Sequence, residues 1–311
     1  MQQLQQLIRE AQSFYQEGRV ATYIPALSSV DPKLLAVSLI DGNGSAFQEG
    51  DYQQFFTLQS ISKVISFIFV CETYGVEHVL QYVDVEPTGD PFNSIIRLES
   101  HQPGKPFNPM INAGAITISS MLPGVEVDDK ISNLQNFIKK MISAQCEVCE
   151  EVFTSEWETA YRNRAIAYYL KANGYLQGDV EITLEAYLKQ CALLVDVKQL
   201  ATIALVIAND GYHPLSKERI FDAKIAKMAK ALMLTCGMYN ASGKFAAFVG
   251  MPAKSGVSGG ILCVAMDAKI EELQGTIGIG IFGPAIDAVG NSVAGMKFLE
   301  ELSKRYQLSI F

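Results

Sequence analysis

The hydrophobic pattern changes along the chain, from strand-like near the start to helical in the middle and back to strand-like near the end. Apolar positions three and four apart over residues 4–17 predict an amphipathic helix that ends at Gly18. The mostly apolar residues 34–40 predict a strand. The turn sequence Asp-Gly-Asn-Gly at residues 41–44 then predicts a hairpin, whose second strand should run to about Asp51.

Residues 60 to about 234 carry mainly helical patterns. Prolines and glycines predict breaks between these helices, at Pro87, residues 103–109, Pro123-Gly124 and Pro214. Strand signals return from Phe245 onward, with β-branched and apolar runs over 261–265 and 276–282, and a last amphipathic helix is expected over 292–306. Strands at both ends around a helical middle predict an α+β fold, in which the two ends build one antiparallel sheet.

The tetrapeptide Ser60-Ile61-Ser62-Lys63 lies where a polar, turn-rich segment gives way to an apolar run. Residues three apart share a helix face, so Ser60 and Lys63 should stack about one turn apart. A serine beside a partly desolvated lysine is a nucleophile with its own base. The same tetrapeptide would also occur if the serine were a helix N-cap and the lysine were exposed at the surface. The helix that follows is apolar nearly all round, which favours the buried lysine.

A second serine and lysine pair, Lys254-Ser255-Gly256, lies in a glycine-rich segment before an apolar run. An S-x-x-K element near the start and a K-[ST]-G element near the end form the serine signature of β-lactamases and penicillin-binding proteins. A solvated lysine at a strand end, followed by an ordinary tight turn, is the plainer interpretation of Lys254 and residues 255–257.

Longer motifs spread over nearly the whole chain resemble those of the serine-dependent glutaminases. They are Tyr23-Ile24-Pro25, Leu58-Gln59-Ser60, Glu86-Pro87-Thr88-Gly89, residues 108–115, Ser155-Glu156, Arg162-Asn163, Tyr187 with Gln190-Cys191, Cys236-Gly237-Met238-Tyr239, residues 252–260 and residues 290–293. The resemblance implies a β-lactamase-like fold, hydrolysis of L-glutamine to L-glutamate and ammonia, and no cofactor or metal. It also implies one catalytic domain over 1–311, with a sheet part of about 1–59 and 245–311 and a helical part of about 60–244.

The residues and the resemblance together assign a site. The catalytic residues are Ser60, Lys63 and Tyr239; the substrate-binding residues are Tyr23, Ser60, Asn112, Glu156, Asn163, Tyr187, Tyr239 and Val257; Lys254 is secondary. The resemblance implies that Glu156 pairs with the substrate ammonium, and that asparagine amides and tyrosine hydroxyls hold its carboxylate. Without it, Asn112 would be a turn residue and Glu156 a carboxylate in the first turn of a helix.

Each catalytic group has an expected role. Ser60 lies at the helix entrance, where backbone N–H groups favour negative charge, so its own N–H is a natural oxyanion donor; Ser62 and Ser66 are nearby alternatives. Burial, and a cationic neighbour such as Lys254, should lower the pKa of Lys63. By resemblance, Val257 supplies the second oxyanion N–H, and Tyr239 carries a proton to the leaving group.

Composition narrows the possible partners. The net charge is −8 with no basic cluster, which argues against nucleic acid or an anionic membrane as a partner. No apolar run reaches the ~18 residues of a membrane span, and the first eight residues lack the pattern of a signal peptide. We therefore expect a cytoplasmic protein. Charged residues make up only 19% of the chain, which is consistent with much surface buried either internally or between subunits. A homo-oligomer, a dimer or tetramer, is expected.

Two further motifs suggest other chemistry. Residues 278–283 fit G-x-G-x-x-G, but Pro284 follows them and too little chain remains for a second parallel strand, so these glycines should instead let a strand pack closely beneath a helix. Cys146 and Cys149 have CxxC spacing without a second pair of ligands, which argues against zinc. The six cysteines should be reduced, mostly in the core.

The sequence thus predicts a glutaminase that works through a Ser60 acyl-enzyme. A relative of the β-lactamases or D-alanyl peptidases would share the same serine and lysine, but those enzymes work outside the cytoplasm. A catalytically inactive glutamine-binding or scaffolding protein is the alternative outside the enzymes. The intact serine, the two lysines and Tyr239 argue against it.

Overall fold

The computed structural model of the protein describes residues 1–100 and 104–311. The strands are β1 Ala36–Asp41, β2 Ala46–Gly50, β3 Phe56–Thr57, β4 Leu194–Val195, β5 Tyr212–His213, β6 Glu218–Arg219, β7 Ala253–Ser255, β8 Gly260–Ile270 and β9 Leu273–Phe282. The helices are α1 Gln2–Gln12, α2 Ser62–Tyr74, α3 Val76–Val79, α4 Ile96–Ser100, α5 Asn112–Ser120, α6 Val127–Ile142, α7 Glu150–Thr159, α8 Tyr161–Ala172, α9 Val180–Cys191, α10 Val197–Ala208, α11 Ala223–Cys236, α12 Ser242–Phe248 and α13 Val293–Tyr306.

The two ends of the chain build one antiparallel sheet with the strand order β2-β1-β9-β8-β7. The hairpin predicted around residues 41–44 joins β1 to β2. The two long C-terminal strands β8 and β9 pair along most of their length, with an irregularity between Ala265 and Ala268. The predicted α+β class, with a sheet drawn from both ends, is therefore confirmed.

The predicted boundaries differ from the observed ones in several places. The first helix ends at Gln12, because the chain tightens into a 3₁₀ turn over Ser13–Glu17. The helical middle also contains β4, which pairs with β3 from just before residue 60, and the pair β5–β6. These strands are too brief to leave a period in the sequence. The expected breaks at Pro87, Pro123-Gly124 and Pro214 lie between helices. Part of the expected break at 103–109 lies outside the described residues.

One face of the sheet is covered by α10, and two glycines of β9 make the close approach possible. A Cβ added at Gly278 would lie 2.0 Å from the carbonyl oxygen of Ala201, and one at Gly280 would lie 2.2 Å from that of Val197. Both distances are far below van der Waals contact. The G-x-G-x-x-G segment is thus a strand beneath a helix, as predicted from Pro284 and the short remaining chain.

The other face of the sheet packs against the two terminal helices. Leu4 and Leu7 of α1 and Phe298 and Leu302 of α13 are buried there with the inward side chains of the sheet. Burial of such side chains is the main source of stabilisation for this layer. The first and last helices therefore cover one face of the sheet, and α10 covers the other face.

The remaining helices surround α2, which is buried on almost every side. Its residues from Ser62 to Ile68 are all buried, and its apolar side chains join those of α6, α10 and α11 in one core. The turn that precedes α2 contacts β7, β8 and α9. The start of α2 consequently lies at the seam between the sheet edge and the helical part. Among the described residues, no helix is long and apolar enough to cross a bilayer.

Gly280→Ala should lower the free energy of unfolding by about 1–3 kcal/mol, because the added methyl group meets a backbone carbonyl that cannot move aside. Gly243→Ala is the matched control: Gly243 lies in α12 with no heavy atom near an added Cβ, so this change should be neutral or slightly stabilising. Urea unfolding of both variants measures the difference. Equal stability of the two variants would contradict the close packing of β9 under α10.

Candidate active site

Ser60 lies in a 3₁₀ turn, Gln59–Ile61, and α2 itself begins at Ser62. The helix starts later than predicted because Gln59 has a left-handed backbone, with φ 47°, which cannot belong to a regular α-helix. Ser60 is half-buried. Its neighbours Ser62 and Ser66 are fully buried, and their hydroxyls already donate to the carbonyl oxygens of Gln59 and Lys63, at 2.8 and 3.3 Å. Of the three serines, Ser60 is therefore the one that a ligand can reach.

A short β-pair fixes the chain just before Ser60. Strand β3 pairs with β4, and the N–H of Leu58 donates to the carbonyl oxygen of Leu193 at 2.8 Å. Residues 192–195 directly follow α9. The nucleophile candidate is consequently held against the C-terminal end of α9, where Cys191 lies.

Lys63 is 1% exposed. Its Nζ donates to Asn112 Oδ1 at 2.7 Å and to the carbonyl oxygen of Met110 at 3.2 Å, and it lies 5.9 Å from the centre of the Phe92 ring. No carboxylate among the described residues comes within ion-pairing distance of it. Burial lowers the pKa of Lys63 to about 8, although Cys191 and Glu156 act in the opposite direction. The predicted desolvation of this lysine is confirmed.

Lys254 is completely buried, so it is not a solvated lysine at a strand end. Its Nζ donates to the carbonyl oxygen of Ser255 at 2.6 Å and lies 4.5 Å from the centre of the Tyr239 ring. Burial, and next the charge of Lys63, hold its pKa well below the ordinary lysine value. Two like charges disfavour each other, so the charge of either lysine lowers the pKa of the other. That a cationic Lys254 lowers the pKa of Lys63 stays a prediction.

Tyr239 lies in a short 3₁₀ turn after α11 and has a left-handed backbone, with φ 53°. Its buried ring packs against Phe92, with 5.1 Å between ring centres. Burial raises the pKa of its hydroxyl, and Ser60, as a hydrogen-bonding neighbour, partly offsets that rise. The hydroxyl makes no well-formed hydrogen bond to any described residue, so its contact with Ser60 is long or poorly aligned. The phenol is therefore protonated at neutral pH.

Asn112 is the first residue of α5, and its side chain joins two other candidates. Its Oδ1 accepts from Lys63, and its Nδ2 donates to Asn163 Oδ1 at 2.9 Å. Its backbone N–H donates to the carbonyl oxygen of Phe92 at 2.8 Å. The side chain of Asn112 is thus more than a turn residue: it orients Lys63 and ties α2, α5 and α8 together.

Glu156 lies in the middle of α7, not in its first turn. The residue is half-buried, but its Oε2 is enclosed and has no hydrogen-bond partner among the described residues. Burial raises its pKa to about 7, while a hydrogen bond from Gln59 and the charge of Lys63 act in the opposite direction. An enclosed carboxylate oxygen without a partner is prepared for a cationic or hydrogen-bonding ligand.

Gln59 is a site residue to which the sequence analysis gave no role. It is 3% exposed, lies directly before Ser60 and is a hydrogen-bond partner of Glu156. A buried polar residue beside the nucleophile is the signal that could have identified it. Its left-handed φ, which fixes the turn at Ser60, depends on the folded backbone and leaves no such signal.

Cys191 is a second residue of the site to which the sequence pattern assigned no role. The sequence suggested a core cysteine, and it is buried, but its sulfur lies 3.8 Å from Ser62 Oγ and accepts a hydrogen bond from Tyr187. Burial and then Glu156 raise its pKa to about 12, so the thiol stays neutral. Tyr187 is itself buried, and burial raises the pKa of its hydroxyl.

Tyr23 is 55% exposed as a residue. The pKa of its hydroxyl is nevertheless raised, by burial first and then by Tyr239 and Glu156. The turn after Tyr23 is held against α7, where the N–H of Ala26 meets Ser155 Oγ at 3.4 Å.

Val257 follows β7 in a buried turn. Neither its N–H nor that of Ser60 donates a hydrogen bond within the part of the chain that the structure describes. The turn carrying Ser60 and the β7 edge are in contact. Two free N–H groups on adjoining segments, beside a serine and a lysine of lowered pKa, are the parts that acyl transfer requires.

Among the described residues, this arrangement includes neither a metal site nor a disulfide. No group of three histidine, cysteine or carboxylate side chains there is arranged to hold a metal ion. Cys146 is buried and Cys149 half-buried, and both are free thiols.

Known proteins match this chain over almost its whole length. The family model described as Glutaminase matches residues 18–311. Among curated proteins, Glutaminase 2 of Bacillus cereus is 55% identical over 310 residues, which cover 99% of this chain and 95% of that protein. Glutaminase 1 of Bacillus subtilis is 53% identical over 311 residues, which cover 99% of this chain and 95% of that protein.

Two solved structures from Bacillus subtilis agree with the fold. A probable glutaminase matches with a TM-score of 0.93 and 50% identity, covering 99% of this chain and 97% of that one. A covalent complex of a glutaminase with 5-oxo-L-norleucine, formed by reaction with 6-diazo-5-oxo-L-norleucine, matches with a TM-score of 0.90 and 48% identity, covering 99% of both chains.

Proposed function

This chain belongs to the glutaminase family, and from that premise we propose that it hydrolyses L-glutamine to L-glutamate and ammonia through an acyl-enzyme on Ser60. One observation carries the mechanism: an accessible serine stands one turn from a buried lysine whose amine is bound only by neutral groups. Such a lysine is neutral for part of the time near pH 8 and can accept a proton.

Acylation begins when the neutral Nζ of Lys63 takes the proton of Ser60 Oγ. The oxygen attacks the carbon of the substrate's side-chain amide, and the N–H groups of Ser60 and Val257 stabilise the resulting oxyanion. The C–N bond then breaks while the hydroxyl of Tyr239 gives its proton to the departing nitrogen, and ammonia leaves. The proton held by Lys63 restores the phenol. Water next attacks the ester carbon, and Ser60 Oγ leaves with a proton, which releases L-glutamate.

Lys254 supports this cycle without touching the reacting amide. Its Nζ lies against the face of the Tyr239 ring, and burial, followed by the charge of Lys63, lowers its pKa well below the ordinary lysine value. A permanent cation there would favour the ionised phenol. The lowered pKa of Lys254 weakens that effect and so helps Tyr239 to stay protonated and able to donate.

The substrate's α-ammonium and α-carboxylate need separate partners. Glu156, with an enclosed and unpartnered Oε2, is the proposed partner of the ammonium. Asn163, Tyr187 and Tyr23 would hold the carboxylate. Asn112 already binds Lys63 and Asn163, but its amide has a second N–H, so it can contact substrate without releasing either neighbour.

The relatives favour this proposal over its rivals. A Bacillus subtilis glutaminase of the same fold reacts covalently with a diazoketone analogue of glutamine, which supports a nucleophile in the same position here. A β-lactamase-like activity would require turnover of a penicillin, and a scaffolding protein would require no turnover at all. Ammonia release measured with glutamine, asparagine and a penicillin ester separates the three.

Ser60→Ala should abolish ammonia release from glutamine and labelling by 6-diazo-5-oxo-L-norleucine, because both reactions need the nucleophilic oxygen of Ser60. In the wild type, mass spectrometry should find the mass of the reagent less N2 on the peptide that contains Ser60. Ser62→Ala and Ser66→Ala are the controls and should keep much of the activity, since both hydroxyls are buried and bonded to backbone carbonyls. Label on a cysteine, or normal turnover by Ser60→Ala, would refute the assignment.

Glu156→Gln should weaken the preference for free glutamine over N-acetylglutamine, whose α-nitrogen carries no charge. An ammonium left without its carboxylate in a closed pocket costs roughly 2–5 kcal/mol. The reacting amide lies at the other end of the substrate, so labelling of Ser60 by a small electrophile should survive. If the preference is unchanged while Ser60 still reacts, Glu156 is not the partner of the ammonium.

A further inference from the structure

The backbone at Tyr239 is strained and needs support. A bulky residue rarely adopts φ 53°, and the cost, of order 1–3 kcal/mol, persists only where the surroundings impose the conformation. The reacting position of the hydroxyl depends on this conformation. The groups that impose it are therefore part of how the site works.

Two side chains hold the peptide groups next to Tyr239. Ser242 Oγ accepts from the N–H of Met238 at 3.0 Å and donates to the carbonyl oxygen of Tyr239 at 2.8 Å. Asn291 Nδ2 donates to the carbonyl oxygen of Met238 at 3.3 Å. The peptide groups before and after Tyr239 are thus both fixed by side chains.

The burial of Asn291 costs free energy of folding. It is completely buried, and its Oδ1 has no hydrogen-bond partner among the described residues. An unsatisfied buried acceptor normally destabilises a fold. Among the described residues, the side chain of Asn291 makes one hydrogen bond, to the carbonyl oxygen of Met238.

The loop that presents Asn291 is rigid. The carboxylate of Asp287 accepts from the N–H groups of Val289, Gly290 and Asn291, at 2.8, 2.8 and 3.0 Å. Gly290 has φ 112°, and a Cβ there would lie 3.2 Å from the ring of Tyr239. The loop therefore supports the ring by contact and the backbone by a hydrogen bond.

We propose that Asn291 and Ser242 are positioning residues, which hold the hydroxyl of Tyr239 where it delivers a proton to the leaving ammonia. The inference rests on the proposed function, in which Tyr239 is that proton donor. Neither residue touches the substrate in this scheme, and both act through Tyr239. Their loss should consequently impair proton delivery and leave substrate binding largely intact.

The leaving group distinguishes this role from simple structural support. The amide nitrogen must gain a proton to leave as ammonia, whereas the phenolate of the γ-nitrophenyl ester of L-glutamate departs without a proton. Tyr239→Phe should thus lower kcat for glutamine by about 10²-fold or more and affect the ester much less. Asn291→Ala and Ser242→Ala should show the same bias, with a loss on glutamine of about tenfold and a KM changed by less than about threefold.

A double-mutant cycle completes the test. In the Tyr239→Phe background, either alanine substitution should cost less than about twofold more, because the group it positions is already gone. Ser303→Ala is the matched control: it removes another buried hydrogen bond from a serine to a backbone carbonyl, at 2.6 Å, on α13. This control should lower the melting temperature and leave the ratio of the two kcat values unchanged.

Fully additive losses in the Tyr239→Phe background, or equal losses on amide and ester, would overturn the inference. The same bias in Ser303→Ala would overturn it too. If Asn291→Ala does not fold, Ser242→Ala alone decides. A wild type that releases no ammonia from glutamine refutes the proposed function itself. The positioning role alone is refuted if the wild type is active and Tyr239→Phe loses more on the amide than on the ester, but Asn291→Ala and Ser242→Ala show no such difference.

Discussion

The site depends on a buried amine that has no anionic partner. Lys63 is enclosed at the start of α2 and donates to a backbone carbonyl and to the amide of Asn112. A carboxylate in the same place would hold the lysine charged and remove it as a base. Glu156 is close enough to influence Lys63, but its own burial raises its pKa to about 7, which limits that effect near neutral pH. The reactivity proposed for Ser60 follows from this balance.

The fold creates the enclosure at the seam between its two parts. The sheet edge contributes Lys254 on β7 and Val257 just after it, and the core helix α2 contributes Lys63. The surrounding helices α5, α7, α8 and α9 contribute four substrate-binding candidates, Asn112, Glu156, Asn163 and Tyr187. Gln59, directly before Ser60, and Tyr239 both have a strained, left-handed backbone conformation. Strain of this kind concentrates at functional sites because the rest of the fold can hold it.

Much of this could be predicted from local pattern, and the remainder depends on tertiary contacts. The sheet from both chain ends, the close packing at Gly280 and the burial of Lys63 follow from periodicity, from turn residues and from the apolar run after Ser60. The complete burial of Lys254 could not be predicted, because burial is set by packing between distant segments. The roles of Gln59 and Cys191 were missed for the same reason. A homo-oligomeric state and a cytoplasmic location stay predictions.

The most direct test of the account is the pH dependence of the rate at which 6-diazo-5-oxo-L-norleucine alkylates Ser60. Lys63 accepts a proton only when neutral, so the rate should rise with pH around a midpoint near 8. Glu156→Gln removes the group with a pKa of about 7 and a charge that raises the pKa of Lys63, so the midpoint should persist and move to somewhat lower pH. A rate that is flat from weakly acid to alkaline pH, or a midpoint that disappears in Glu156→Gln, would contradict Lys63 as the base.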